Sequence, residues 1–195
     1  MSESIKSGTG NGYLAEVSTD NKLRTRSISE TRIQHAVEVG NAYNINSGDI
    51  SSLANGTSAI LWFKNGEELD FSVDAIAVGI KDATGSDIHT VTVVRNPTAG
   101  TIVSGATAVD MNQNRNFGHA GSLSLSLAYK GADTLTLTDG DDIAQFYMNE
   151  SGRLFATVDF VIPKTKSVGI NIDLSLSSGT ATVYAALIGH QEEII

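Results

Sequence analysis

Along most of the chain, apolar and polar residues alternate with a period of two. Leu123, Leu125, Leu127 and Tyr129 alternate with Ser122, Ser124, Ser126 and Ala128, a spacing that sends apolar side chains to one face of a sheet. Thr134–Thr138 alternates Thr with Leu. Ile170, Ile172, Leu174 and Leu176 alternate with Asn171, Asp173 and Ser175. Further strands are predicted at Ala59–Phe63, Phe71–Ile80, His89–Val94, Ile143–Met148, Leu154–Ile162 and Thr182–Ile188, most of them rich in Val, Ile, Phe or Thr. Turn residues separate them: Asn65-Gly66, Thr84-Gly85-Ser86, Asn96-Pro97, Asp139-Gly140-Asp141, Ser151-Gly152 and Ser178-Gly179. Roughly nine strands at this spacing predict an all-β fold, an antiparallel β-sandwich or jelly roll. Only Ser29–Val39 has helical spacing, through Ile33, Ala36 and Val37.

Charge divides the chain. Residues 1–40 hold five basic and five acidic groups, whereas residues 41–195 hold 8 basic and 17 acidic ones, so the net charge of -9 lies entirely in the second part. The first 40 residues are also poor in large apolar side chains. They are expected to form an extended N-terminal arm (1–40), followed by a sandwich domain (41–195). A chain of 195 residues buries about 70% of its unfolded surface and needs no covalent staples. It has no cysteine, which excludes thiol catalysis, disulfides and Cys-ligated metals. The polar, Gly/Ser-rich start lacks the order of a signal peptide, and no window resembles a membrane span. The acidic balance argues against nucleic acid as a partner, because phosphate binding is driven by clustered Lys and Arg.

The sequence carries little chemistry. It has neither a G-x-S-x-G elbow nor a phosphate loop ending in G-K-[ST]. Gly8-Thr9-Gly10-Asn11-Gly12 resembles a phosphate-binding stretch in composition only, since no strand leads into it. His35, His89, His119 and His190 are scattered and read as surface or packing residues. Asp139-Gly140-Asp141-Asp142 is the densest acidic cluster. It lacks the ligand order of a calcium loop, and a solvated turn accounts for it without an ion. Trp62, within Ile60–Phe63, is expected to be buried in the sandwich rather than exposed for stacking. Lys22, Arg24 and Arg26 share one face if extended. They read equally as a solvated edge or as a basic stripe that docks on an acidic neighbour. Ile194-Ile195 is an apolar C-terminus suited to packing against another subunit. No catalytic, metal or cofactor residue is expected.

Three stretches give the chain a familiar texture: Gly40–Gly48, Val91–Gly118, and Gly152–Ala156 together with Val183–Ile188. In these the chain resembles small virion proteins of tailed bacteriophages, of the head decoration, cement or auxiliary capsid type. The resemblance implies a β-sandwich body, a homo-oligomer with a trimer favoured, and a seat on the capsid exterior against the major capsid protein. Lys22, Arg24 and Arg26 are then candidate capsid contacts, and Ile194 and Ile195 candidate subunit contacts. A tail, baseplate or receptor-binding component is a second reading. A carbohydrate-active or carbohydrate-binding sandwich is a third, to be recognised by paired carboxylates and exposed rings in a groove.

Overall fold

The computed structural model describes residues 31–83, 88–104, 106–110, 114–119, 121–149 and 151–192. Within them lie one helix, α1 (Arg32–Glu38), and eleven strands. These are β1 (Ala42–Asn46), β2 (Ile50–Leu53), β3 (Gly56–Lys64), β4 (Phe71–Lys81), β5 (Ile88–Arg95), β6 (Thr107–Ala108), β7 (Leu127–Lys130), β8 (Asp141–Asn149), β9 (Arg153–Ile162), β10 (Ser167–Leu174) and β11 (Ala181–Gln191). One sheet runs β1-β11-β4-β9, with β2 also paired to β11; the other runs β6-β7-β3-β10-β5-β8. Every ladder is antiparallel. The all-β sandwich expected from the sequence is the fold.

The core lies between the two sheets. It joins Phe63, Ile60 and Leu61 from β3, Ile170 and Ile172 from β10, and Val91 and Val93 from β5 with Ile76, Val78, Val183 and Leu187 of the opposite sheet. Phe63 and Phe71 meet across it with ring centroids 5.0 Å apart. Each fully buried side chain of this kind contributes about 1.5–3 kcal/mol relative to exposure.

A bulge in β3 organises the second sheet. Ile170 pairs with Leu61 but Asn171 pairs with Ala59, so Ile60 is an extra residue on β3. Two successive residues, Ile60 and Leu61, therefore face the same core, while Ala59 and Trp62 turn to the outer face. There Trp62 is buried, as expected, but under loops rather than between the sheets. It stacks on Tyr129 at 5.5 Å, donates from Nε1 to the Pro97 carbonyl at 3.0 Å, and is joined by Ile102, Leu135 and Leu137.

Two expected strands come out differently. Leu135 and Leu137 in Thr134–Thr138 do turn inward while the threonines are exposed, but this segment joins no ladder. It covers Trp62 and is held by single bonds such as Ala59 N–H to Leu135 O at 2.7 Å. In the 122–129 run only Leu127 onward is strand. Leu123 is buried but Leu125 and Leu127 are exposed, because the chain turns at Ser124–Leu125. The short strands β2 and β6 gave no period-two signal, and the alternation of Tyr43 and Ile45 with Asn44 and Asn46 in β1 is not among the predicted strands.

The compact body begins at Arg32. Residues 32–40 belong to it: α1 packs on β1 and β11, and Ala36 is buried. Residues 1–30 lie outside the described residues.

Replacing Phe63 by Ala is expected to destabilise the protein by about 3–5 kcal/mol, the cost of a large cavity in a close-packed core. Phe117→Ala, at a fully exposed ring, should stay within about 0.5 kcal/mol. Urea denaturation of both variants checks the contrast.

Candidate functional site: the open β8–β9 flank

Lys22, Arg24 and Arg26 and, at the other terminus, Ile194 and Ile195 all lie outside the described residues. The acidic turn is inside them. Asp139 accepts hydrogen bonds from Thr98 N (2.8 Å), Ala99 N (2.8 Å) and Thr98 Oγ1 (2.6 Å). These bonds hold its carboxyl below its ordinary pKa of 3.8, the Thr98 hydroxyl contributing most. Asp141 pairs with Arg95 at 2.7 Å. Gly140 takes the left-handed conformation (φ 99°) that the turn requires. The cluster is a loop clamp: Asp139 ties the turn to the segment starting at Thr98, part of the cover over Trp62.

His190 has two acidic partners, Glu192 two positions along the chain and the remote Asp74. Its Nδ1 lies 3.1 Å from Asp74 Oδ1 and its Nε2 lies 3.9 Å from Glu192. Arg115 stands 3.7 Å from Asp74, and Arg32 3.5 Å from Glu192. The result is an alternating chain, Arg115–Asp74–His190–Glu192–Arg32. Nδ1 against a carboxylate is the relation of a catalytic base to its orienting group. The working nitrogen, Nε2, is buried with no hydroxyl bonded to it among the described residues. The cluster fastens α1 and the Asn114–His119 loop to β4 and β11, aided by Arg115 N to Ala42 O (2.8 Å) and Asn116 Nδ2 to Glu38 O (3.0 Å).

Asn65 plays a similar part at the end of β3. Fully buried, it donates to the carbonyls of Leu69 and Ile162, both at 2.9 Å, and accepts from Glu67 N at 3.1 Å. Glu67 in turn accepts from Leu125 N and Ser126 N at 2.8 and 3.1 Å. Burial pushes the Tyr43 hydroxyl upward in pKa, with the Glu67 charge adding to the effect and an Asn114 hydrogen bond opposing it.

A polar hollow of about 260 Å³ lies along β3, β5, β8 and β10, lined among others by Thr90, Thr92, Asp142, Asn171 and Asp173. The Asn171 Oδ1 is buried there without a partner. No group of three His, Asp or Glu suited to a metal ion occurs among the described residues.

The exposed surface is most unusual where β8 and β9 meet. These strands are consecutive in the chain, yet each ends a different sheet, so both sheets leave an edge uncovered among the described residues. Their inward side chains Ala144, Phe146, Leu154, Val158 and Phe160 are only partly buried against the core. Their outward side chains include Ile143 (42% exposed), Tyr147 (67%), Phe155 (66%) and Val161 (46%). Four of the ten large apolar side chains exposed among the described residues therefore lie on two strands. A cleft of about 200 Å³ opens at one end, between Ile143, Phe160, Ile162 and Val168, with Arg95 and Lys166 at its rim. Exposed apolar side chains on edge strands leave surface on which another chain can pack. The signal was present in the sequence: β9 carries apolar residues on both of its faces, which a strand with one solvated face does not need.

No family model matches the chain, and no curated protein matches it. Among solved structures it is similar to the structure of infectious bursal disease virus, Gt strain, at 11% identity over 78% of this chain and 42% of that one, with a TM-score of 0.21. The Gx strain structure gives 14% identity over 78% and 41%, also at 0.21. The chain thus spans about two-fifths of the length of these proteins. TM-scores of this size fall far short of a shared fold and say nothing of what this chain does.

The Thr98 and Ala99 amides should report the Asp139 clamp. A carboxylate with a lowered folded pKa contributes stability above its unfolded pKa, and the contribution is lost as pH falls through the folded value. Both amide signals should therefore titrate in NMR with a midpoint below 3.8, the ordinary value, and stop titrating in Asp139→Asn. A midpoint at or above 3.8 would contradict the clamp.

Proposed function

We propose that this chain is a non-enzymatic structural subunit of a virus particle, of the head decoration or cement type found in tailed bacteriophages. In this reading it sits on the capsid exterior and binds the major capsid protein, without nucleic acid, membrane or cofactor. The observation that carries the reading is where the exposed apolar surface lies. Four of the ten large apolar side chains exposed among the described residues lie on the edge strands β8 and β9, where another protein can pack, while the Asp139 and His190 clusters tie loops to the sandwich. The sequence resemblance described above supplies the particle.

The electrostatic division of the chain gives this reading a direction. Residues 41–195 hold the whole excess of negative charge, which keeps decorated particles apart in suspension. The basic stripe of Lys22, Arg24 and Arg26 is suited to an acidic patch on the capsid, by an attraction that salt weakens.

A chain lacking residues 1–31 should fold, because the compact body starts at Arg32. It should bind undecorated particles poorly in a co-sedimentation assay. Replacing Lys22, Arg24 and Arg26 together by Gln should weaken binding most at low salt. If the shortened chain decorates particles as well as the full one does, attachment belongs to the sandwich and the arm is not the anchor.

A further inference from the structure

We propose that β9 pairs antiparallel with β9 of a second copy of this chain, about a two-fold axis through Ala156. One side of β9 is bonded to β4, and the other has no partner strand among the described residues. The Ile80 amide donates to the Gly152 carbonyl at 2.9 Å, and Ile76 lies opposite Ala156. In an antiparallel ladder the residues that point backbone groups at a given neighbour alternate. Gly152, Leu154 and Ala156 thus serve β4, while Arg153, Phe155 and Thr157 direct their N–H and C=O groups to the free edge.

This parity restricts how β9 can meet itself. Hydrogen bonds form only where edge-directed residues face one another, so self-pairings near the middle of the strand centre on residue 155, 156 or 157. Centring on Phe155 sets Arg153 against Thr157. Centring on Thr157 sets Asp159 against Phe155. Only centring on Ala156 sets Arg153 opposite Asp159 of the second copy, and symmetry makes that pair twice. Both side chains are exposed on the same face of β9, and neither forms an ion pair with a described residue. A basic residue at one end of a strand and an acidic one at the other make it complementary to its own reverse. That is the requirement of an isologous contact, and it is why a second copy is the occupant.

The apolar positions agree with the same register. Phe155, 66% exposed, comes to lie beside Thr157 of the second copy. On the inner face Leu154 meets Val158 and Ala156 meets Ala156, so partly buried core residues of the two copies become continuous. A bulge places Val158 and Asp159 opposite Asp74, bending the strand away beyond that point and confining the contact to residues 153–159. The pairing goes beyond the capsid reading and holds on or off a particle. It gives a dimer, in place of the trimer that the family resemblance implies.

Sedimentation equilibrium of the full chain should give the mass of a dimer. Arg153→Glu and Asp159→Arg should each weaken association about tenfold by setting like charges opposite one another. The two together should restore it, because the reversed pair is again complementary. The chain has no cysteine, so Ala156→Cys introduces a single thiol at the axis. Mild oxidation should link it into a covalent dimer, whereas Thr157→Cys, set opposite Phe155, should link poorly. A monomer at all concentrations, a trimeric mass, or a double reversal that fails to restore association would each overturn the proposal. None of these readings depends on particle binding.

Discussion

The extra residue in β3 is the constraint around which the larger sheet is arranged. An antiparallel strand normally shows its two faces alternately, so β3 would bury only every second residue in the core. With Ile60 inserted opposite the Ile170–Asn171 step, Ile60, Leu61 and Phe63 all reach the space between the sheets, and Ala59 and Trp62 are left outside. A bulge also frees backbone groups that the ladder cannot satisfy. The segment after β7 takes them: Gly131 N–H donates to the Ile60 carbonyl at 3.0 Å, and Ala59 N–H donates to the Leu135 carbonyl at 2.7 Å. The approach is so close that a Cβ at Gly131 would collide with the Ala59 carbonyl. The loop that settles the bulge also carries Leu135 and Leu137 over Trp62, so one irregularity generates the second hydrophobic cluster.

The polar clusters follow from the same need to pin irregular chain onto a regular sandwich. Asp139 replaces ladder hydrogen bonds for Thr98 and Ala99. Asn65 does so for the carbonyls of Leu69 and Ile162. The Asp74–His190–Glu192 series holds the segment around Arg115 and the helix against β4 and β11. In each case a side chain that looks like chemistry on paper is engaged with backbone groups or with a side chain on another segment. Each clamp acts at a few hydrogen bonds or ion pairs, so single polar substitutions there should act locally.

A sandwich that is well closed in its middle has to end somewhere, and β8 and β9 are two of the strands at which the sheets end among the described residues. Open edges carry backbone groups that invite pairing, and proteins usually protect them with charge, bulges or covering loops. Here the protection is partial. β9 has a bulge and a charge at each end of its exposed face, but Phe155 and Val161 stand between and beside them. An edge with a defined charge pattern selects its partner, whereas a bare apolar edge would accept many. That distinction separates a selective edge from an aggregation hazard.

Period-two alternation, turn residues and the restriction of helical spacing to Ser29–Val39 determined the fold class, because each is a local property of the chain. β4, β5, β8, β9, β10 and β11 could be placed from them to within a few residues. The run Ala59–Phe63 was legible as a strand but not as a bulged one, since five consecutive apolar residues have no period to read. Thr134–Thr138 alternated like a strand, yet no neighbour offered it a ladder, and whether a partner is available is not written in the segment itself. The partners of His190, the clamp at Asp139 and the open flank belong to the tertiary structure for the same reason. Asp74 and His190 are 116 positions apart, and β8 and β9, though adjacent in the chain, end different sheets. Sequence fixes what each segment can pair with locally; only closure of the two sheets decides which residues meet across them and which edges are left without a neighbour.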